Sequence, residues 1–352
     1  MKYHVLMHRN TWQKAKRYLE FLSSGNSAGA FLQAQLPDKN RSTMQVEEFI
    51  ERLMRTKQPQ IFAETAVSGA GDDWNRQELS ILGDISVAMP VTIFDNGRHR
   101  NPEIHQPPFE GHLIFTPGAL LQNGTGGVPA DWEAITRNGK IDLREYCELY
   151  ERRLFPAFAY ANEVAGAKNK MAFITIPGLG CGQFAGVFRG KLGAMLGQVL
   201  KAFLEKHGAE FPHIKAVYYD PFDECGNSRM ETNRIQYLIR PLNQGNQGKP
   251  QLCKPETYAE KGDEFAECEF FSIVAWDHVS WPGNDFYGGS RATDDGVKAA
   301  ATNSMEAMTG VRGSYDVVSC QYRPPTPFSR WQDVIFQKKI QLVVRNNIKV
   351  YP

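Results

Sequence analysis

The stretch Met171-Ala-Phe-Ile-Thr-Ile-Pro-Gly-Leu-Gly-Cys-Gly-Gln-Phe-Ala-Gly186 carries the strongest architectural signal in the chain. Met171–Ile176 is a short β-rich run, and Gly178, Gly180, Gly182 and Gly186 follow it directly. Beyond them Leu192, Leu196, Val199 and Phe203 fall on one face of a helix that Gly208 should end. Ile214–Tyr219 then reads as a second strand. A strand, a glycine-rich loop, a helix and a strand in succession form a βαβ unit, which requires parallel strands and a right-handed crossover.

Working outward, Asp142 and Glu145 open a helix that Pro156 is expected to kink or split. Strand-like runs occupy Ile81–Ile93, interrupted at Pro90, and His112–Phe115, with a glycine-rich turn at Asn123–Gly127. The first 80 or so residues read as helical. Val46, Phe49, Ile50 and Leu53 repeat at helical spacing, Ser42 and Gln45 sit at capping-box spacing, and Thr11–Leu22 is an earlier helix. Downstream, strands at Gln236–Arg240 and Phe271–Trp276 flank a polar Gln244–Lys261 stretch that reads as an exposed insertion. A helix over Gly296–Met308 and strands at Asp316–Ser319 and Ile340–Tyr351 complete the reading. The expected organisation is a helical lobe over residues 1–80 and an α/β domain over 81–352, with an insertion near 244–261.

Composition narrows the function. The 352 residues carry 40 Lys and Arg against 39 Asp and Glu, so a net charge of +1 offers no broad footprint for nucleic acid or membrane. Six cysteines lie scattered, none in a CxxC pair, as reduced thiols do in a cytosolic compartment. No apolar run is long enough to span a membrane, and no signal-peptide pattern opens the sequence. The expectation is a soluble protein.

Chemistry concentrates in three places. In the Pro177–Gly186 loop, the amides from Gly180 through Cys181, Gly182, Gln183, Phe184 and Ala185 to Gly186, with the N-terminus of the next helix, would suit an anion such as phosphate. The loop is neither a Walker A sequence nor a Rossmann fingerprint, and tight βα packing alone would also explain its glycines. Gly83-Asp84-Ile85-Ser86 offers a carboxylate to an exocyclic amine, although Asp after Gly is common turn chemistry. The third place is Trp276–Gly296, which starts where a strand ends. Asp277, Asp285, Asp294 and Asp295 crowd it, and Trp281, Phe286 and Tyr287 are there to stack on a base or sugar. Turn and cap roles would account for each aspartate singly. His278 is a candidate base, and Cys181 is a thiol without an assignable His partner.

Taken together, the glycine loop and the Gly83–Ser86 segment resemble the macrodomain family over roughly residues 80 to 350. The resemblance implies a three-layer α/β fold with a mixed central sheet flanked by helices. It implies ADP-ribose as ligand, with Asp84 and Ile85 at adenine and Gly180–Gly186 around the diphosphate and distal ribose. The Asp-rich segment resembles macrodomain-like bacterial effectors that remove ADP-ribose from arginine of ubiquitin, which implies Asp277, Asp285 and Asp295 as the hydrolytic residues. Asp295 or Asp285 would then serve the water and Asp277 the leaving group or ribose. The Asn-rich loop usual in hydrolysing macrodomains has only Asn123–Gly127 as a counterpart. The same resemblance implies no cofactor and no metal, a protein secreted by the bacterium into the host cytoplasm, and ADP-ribosylated ubiquitin or another protein as substrate. The N-terminal lobe would be free to meet a host protein. The alternatives are a module that binds ADP-ribose without cutting it, a hydrolase for a different linkage, and a domain whose glycine loop is structural.

Overall fold

A computed structural model describes residues 2–36 and 43–352. Its central sheet takes strands β1 (His4–His8), β2 (Ile85–Asp95), β3 (Ile104–Pro117), β4 (Ala172–Pro177), β5 (Ile214–Asp220), β6 (Ser228–Thr232), β7 (Ile235–Ile239), β8 (Glu269–Trp276) and β9 (Ile348–Tyr351), in the order β9-β1-β2-β3-β8-β4-β5-β7-β6. The run β3-β8-β4-β5-β7 is parallel throughout. Strand β2 is antiparallel to both β1 and β3, and β6 is antiparallel to β7. The sheet is therefore mixed, and the fold is the macrodomain-like α/β arrangement.

Side chains alternate between its two faces, as a period of two demands. Val87, Met89 and Phe115 join one apolar cluster, while Ala88 and Ile114 join the other. The second cluster is built by helices α4 (Leu143–Ala167) and α5 (Leu192–His207), whose crossovers bracket β4. Leu192, Leu196, Val199 and Phe203 all face it, so the βαβ unit forms as the sequence requires. The first cluster is covered by helices from both ends of the chain. These are α1 (Arg9–Ser23), α2 (Val46–Met54), α3 (Arg76–Leu82), and later Asp294–Ala301, Ser304–Thr309 and Trp331–Lys338.

Several expectations change. Ile81 belongs to α3, which Asn75 and Glu78 start with a capping box, so the strand begins only at Ile85. That strand then passes through Pro90, because β1 pairs only as far as Ala88 and leaves no partner there to miss an N–H. Helix α4 runs unbroken through Pro156. The burial of Tyr146, Leu149, Leu154, Phe158 and Ala161 along its length outweighs the local cost of roughly 3 kcal/mol for an interior proline. The Gln244–Lys261 stretch is exposed only in part: Gln244, Gly245, Gln247 and Gly248 face solvent, whereas Leu252 and Tyr258 are fully buried. The Tyr258 ring lies 4.9 Å from Phe173 and 4.6 Å from Tyr218.

The Gly296–Met308 helix is two helices, broken at Thr302 and Asn303, where Asn303 bonds back to the Thr92 amide. Strand Asp316–Ser319 is instead the turn of a hairpin between Ser314–Asp316 and Gln321–Arg323, and only Ile348–Tyr351 of the last expected strand pairs. Ser42 lies outside the described residues, and Gln45 caps α2 without a side-chain bond. The N-terminal 80 residues supply β1 to the sheet, and Phe49, Leu53 and Leu79 share a cluster with Ile85 and Phe115. No break in the core falls at residue 80.

One buried network clamps the carboxyl edge of the sheet. Arg153, on α4, is 1% exposed. Its guanidinium bonds Asp84 at 3.2 Å, the Gly118 carbonyl at 2.8 Å and Asp131 at 2.8 Å. Removing one member of a buried ion network strands the others without compensation. Arg153→Met is expected to lower unfolding free energy by about 3–5 kcal/mol, read from urea midpoints. An unchanged midpoint would mean that the network does not hold this edge together.

Candidate active site

Three adjacent parallel strands deliver their loops to one edge. Trp276 at the end of β8 pairs with Pro117 at the end of β3, and β4 ends beside them at Pro177. Antiparallel β2 starts at the same edge, which brings Asp84 there too. The carboxyl end of a parallel sheet is where such folds bind ligands.

The loops after β3 and β4 touch backbone to backbone. A Cβ on Gly118 would lie 2.2 Å from the Gly180 amide nitrogen, and Gly180 itself has φ +72°. Neither position admits a side chain. Tyr150 pins the contact by donating to the Leu179 carbonyl at 2.6 Å and accepting from the Ala119 amide at 3.1 Å. The Leu121 amide bonds the Phe184 carbonyl at 2.8 Å. Among the described residues the amides of Gly182, Gln183 and Phe184 donate to no protein acceptor, and Gly182 and Gln183 are exposed. They form a short row of N–H groups suited to an anion.

The N-terminus of α5 is not available for that purpose. Glu224 occupies it, accepting from the Gly193 amide at 2.6 Å and the Gly190 amide at 3.2 Å. The anion role expected of loop and helix together falls on the loop alone. Cys181 and Ala185 are buried. Burial, with Glu224 adding, pushes the Cys181 thiol far up, so it stays protonated and is no nucleophile. Gly186 packs against the Leu121 carbonyl.

At Asp84 the carboxylate is already engaged. It is 2% exposed and accepts from Lys14 at 2.8 Å and from Thr11, Arg152 and Arg153 at 3.2 Å each. Burial alone would raise its pKa, but the three cations hold it well below the usual carboxylate range. Ile85 is a core side chain whose backbone pairs with Met7. Phe286 and Tyr287, expected to stack on a ligand, are 3% and 0% exposed. Tyr287 donates to the Pro282 carbonyl, so neither ring shows a face to a base. His278 is fully buried, 3.1 Å from Asp131, as a packing histidine would be.

The aspartates of the β8 loop do converge, and each also shapes the loop. Asp277 accepts from the Val279 and Ser280 amides at 2.8 and 2.6 Å, leaving Oδ2 with only a 3.5 Å contact to Asn284. Asp285 is spent on the turn, accepting from the Ala292 amide at 2.9 Å and the Thr293 amide and hydroxyl. A Cβ at Gly296 would fall 1.8 Å from its Oδ1, so glycine there is what lets Asp285 in. Asp295 accepts from the Gly283 amide at 3.1 Å. Thr293, not an aspartate, caps the following helix, and Asp294 turns to Lys298 and the Ala275 amide. Burial first, then the charges of Asp277 and Asp285, hold the Asp295 pKa well above the usual carboxylate range.

Sequence patterns gave no hint of what completes the site, because it comes from residues 57–64. Lys57, Gln58 and Ile61 are laced to the β8 loop. Gln58 exchanges backbone bonds with Val279 and Trp281, and Asn284 donates to the Ile61 carbonyl at 2.6 Å. Glu64 is half-buried, and burial followed by Asp277 raises its pKa. Four buried polar atoms in this loop lack any partner among the described residues: Trp276 Nε1, His278 Nδ1, Ser280 Oγ and Asn284 Oδ1. Buried polar atoms are normally paired, so these four stand out in the loop. Among the described residues no group of His, Cys, Asp or Glu could hold a metal ion.

The chain matches the family described as Macrodomain effector MavL over residues 3–328. No curated protein matches it.

The state of Asp295 has a consequence for stability. A carboxyl whose folded pKa is raised above its unfolded value binds its proton more tightly when folded. Stability is therefore greatest below the unfolded pKa, near 3.9, and is lost as pH rises toward the folded value. Asp295→Asn removes that loss. The thermal midpoint of the variant relative to the unsubstituted chain should climb as pH rises above roughly 4. A difference that stays flat with pH would contradict a protonated Asp295.

Proposed function

The chain belongs to the MavL family of macrodomain effectors, and from that premise we propose that it hydrolyses the bond between ADP-ribose and a protein, with arginine of ubiquitin as the modified residue. Membership in a macrodomain family implies ADP-ribose as the ligand. Convergence of Asp277 and Asp295 at the end of β8, beside the open amide row of the β4 loop, carries the step from binding to cleavage.

In this reading the Gly182–Phe184 amides take the diphosphate and direct the distal ribose toward the β8 loop. Cleavage breaks the bond between the anomeric carbon and a guanidinium nitrogen through an oxocarbenium-like state. Asp295, kept neutral by burial and its neighbours, donates its proton to the departing nitrogen. Asp277, with Oδ2 nearly free, takes the proton of the water that attacks the carbon and faces the positive charge on the sugar. The net proton moves from Asp295 to Asp277 and resets through solvent. Asp285, engaged on both oxygens, holds the turn that carries Asp295. These assignments reverse the division expected for Asp277 and Asp295. As an effector the protein would act after delivery into a host cell, in the host cytoplasm.

Ubiquitin ADP-ribosylated on arginine, mixed with the purified chain, should release free ADP-ribose. Asp277→Ala and Asp295→Ala should each cut kcat by roughly 100-fold or more while ADP-ribose affinity changes little. Binding without release would reduce the protein to a reader of ADP-ribose. Release only from serine or acidic-residue linkages would change the substrate.

A further inference from the structure

The segment leading from α2 into the site carries a lysine with no route to solvent. Lys57 is 3% exposed, and a buried ammonium is costly unless bonds and counter-charge compensate it. Its Nζ donates to the His278 carbonyl at 2.6 Å and lies 4.0 Å from the centre of the Trp276 ring. It thus grips the residues on either side of Asp277. The backbone repeats the grip: the Trp281 indole donates to the Lys57 carbonyl at 3.1 Å, and the Gln58 amide donates to Val279 at 2.9 Å.

The charged group that bears on Lys57 is Asp277. Behind that aspartate stand the carboxyls of Glu64 and Asp295, both acted on by it. The His278 ring turns away to Asp131. Lys57 is therefore the cation that meets this acidic group from the N-terminal side.

We propose that Lys57 is a positioning residue of the hydrolytic site, fixing the Trp276–His278 turn and supplying the counter-charge of Asp277. The proposal rests on the hydrolase reading for its consequence in turnover, but the grip of Lys57 on Trp276 and the His278 carbonyl is a property of the fold. Burial pushes Lys57 down to about 7, with Asp277 pulling the other way. The ammonium is present at acid pH and is lost as pH rises through that value.

The test measures kcat and KM on arginine-ADP-ribosylated ubiquitin across roughly pH 5.5 to 9.5 for the unsubstituted chain, Lys57→Arg and Lys57→Met. The unsubstituted chain should lose kcat along an alkaline limb near neutrality. Lys57→Arg should move that limb up by at least about one pH unit, because guanidinium stays charged. Lys57→Met should lower kcat about tenfold or more with KM within about threefold and no such limb. Methionine fills the apolar site, and its urea midpoint checks folding. A Lys57→Met enzyme with unchanged kcat and pH profile overturns the proposal.

A second arm needs no turnover. The Lys57 ¹³Cε resonance, assigned by its absence in Lys57→Met, should titrate, and Asp277→Asn should lower its midpoint by about one unit. An unmoved midpoint overturns the pairing. A shifted midpoint in a chain that releases no ADP-ribose upholds the pairing and sinks the hydrolase reading instead.

Discussion

Arg153 is the side chain around which the carboxyl edge of the sheet is organised. One guanidinium, delivered from the middle of α4, reaches Asp84 before β2, the Gly118 carbonyl after β3, and Asp131. Asp131 in turn holds His278 in the loop after β8 and the Leu120 amide in the loop after β3. Four segments distant in sequence are thereby fixed relative to one another in a place that water does not reach. Burial would make such charges expensive singly; closed into a network they give a rigid rim. Asp84, which the resemblance to macrodomains implied as an adenine acceptor, is part of that rim.

Rigidity there gives meaning to the uneven treatment of the three aspartates. All are buried, yet their surroundings differ. Asp285 is held by the turn it closes, Asp277 keeps one oxygen nearly free, and Asp295 is buried with the charges of Asp277, Asp285 and Asp294 around it, the Gly283 amide and Thr293 as its donors. Burial first, and then the charge of Asp277, raise the proton affinity of Asp295 above the usual carboxylate range. Different surroundings can set apart the proton affinities of carboxyls of one residue type.

The N-terminal segment has a part in this as well. It enters the central sheet as β1, covers one face with α1 to α3, and sends residues 57–64 along the β8 loop. Lys57 grips the Trp276 ring and the His278 carbonyl on either side of Asp277 from that side.

Local sequence determined a good deal. The β4–α5–β5 unit, the glycine loop and the strand ending at Trp276 were legible because hydrophobic period and glycine placement act over a few residues, and those signals survive in the folded chain. The crowding of Asp277, Asp285 and Asp295 was legible for the same reason. Tertiary structure alone decided that Phe286 and Tyr287 are core, that Glu224 fills the α5 N-terminus, that Leu252 and Tyr258 are buried, and that Lys57 grips Trp276 and the His278 carbonyl on either side of Asp277. Each depends on contacts between residues far apart in sequence. Burial and charge environment are properties of what folds against a side chain, and no window along the chain contains them.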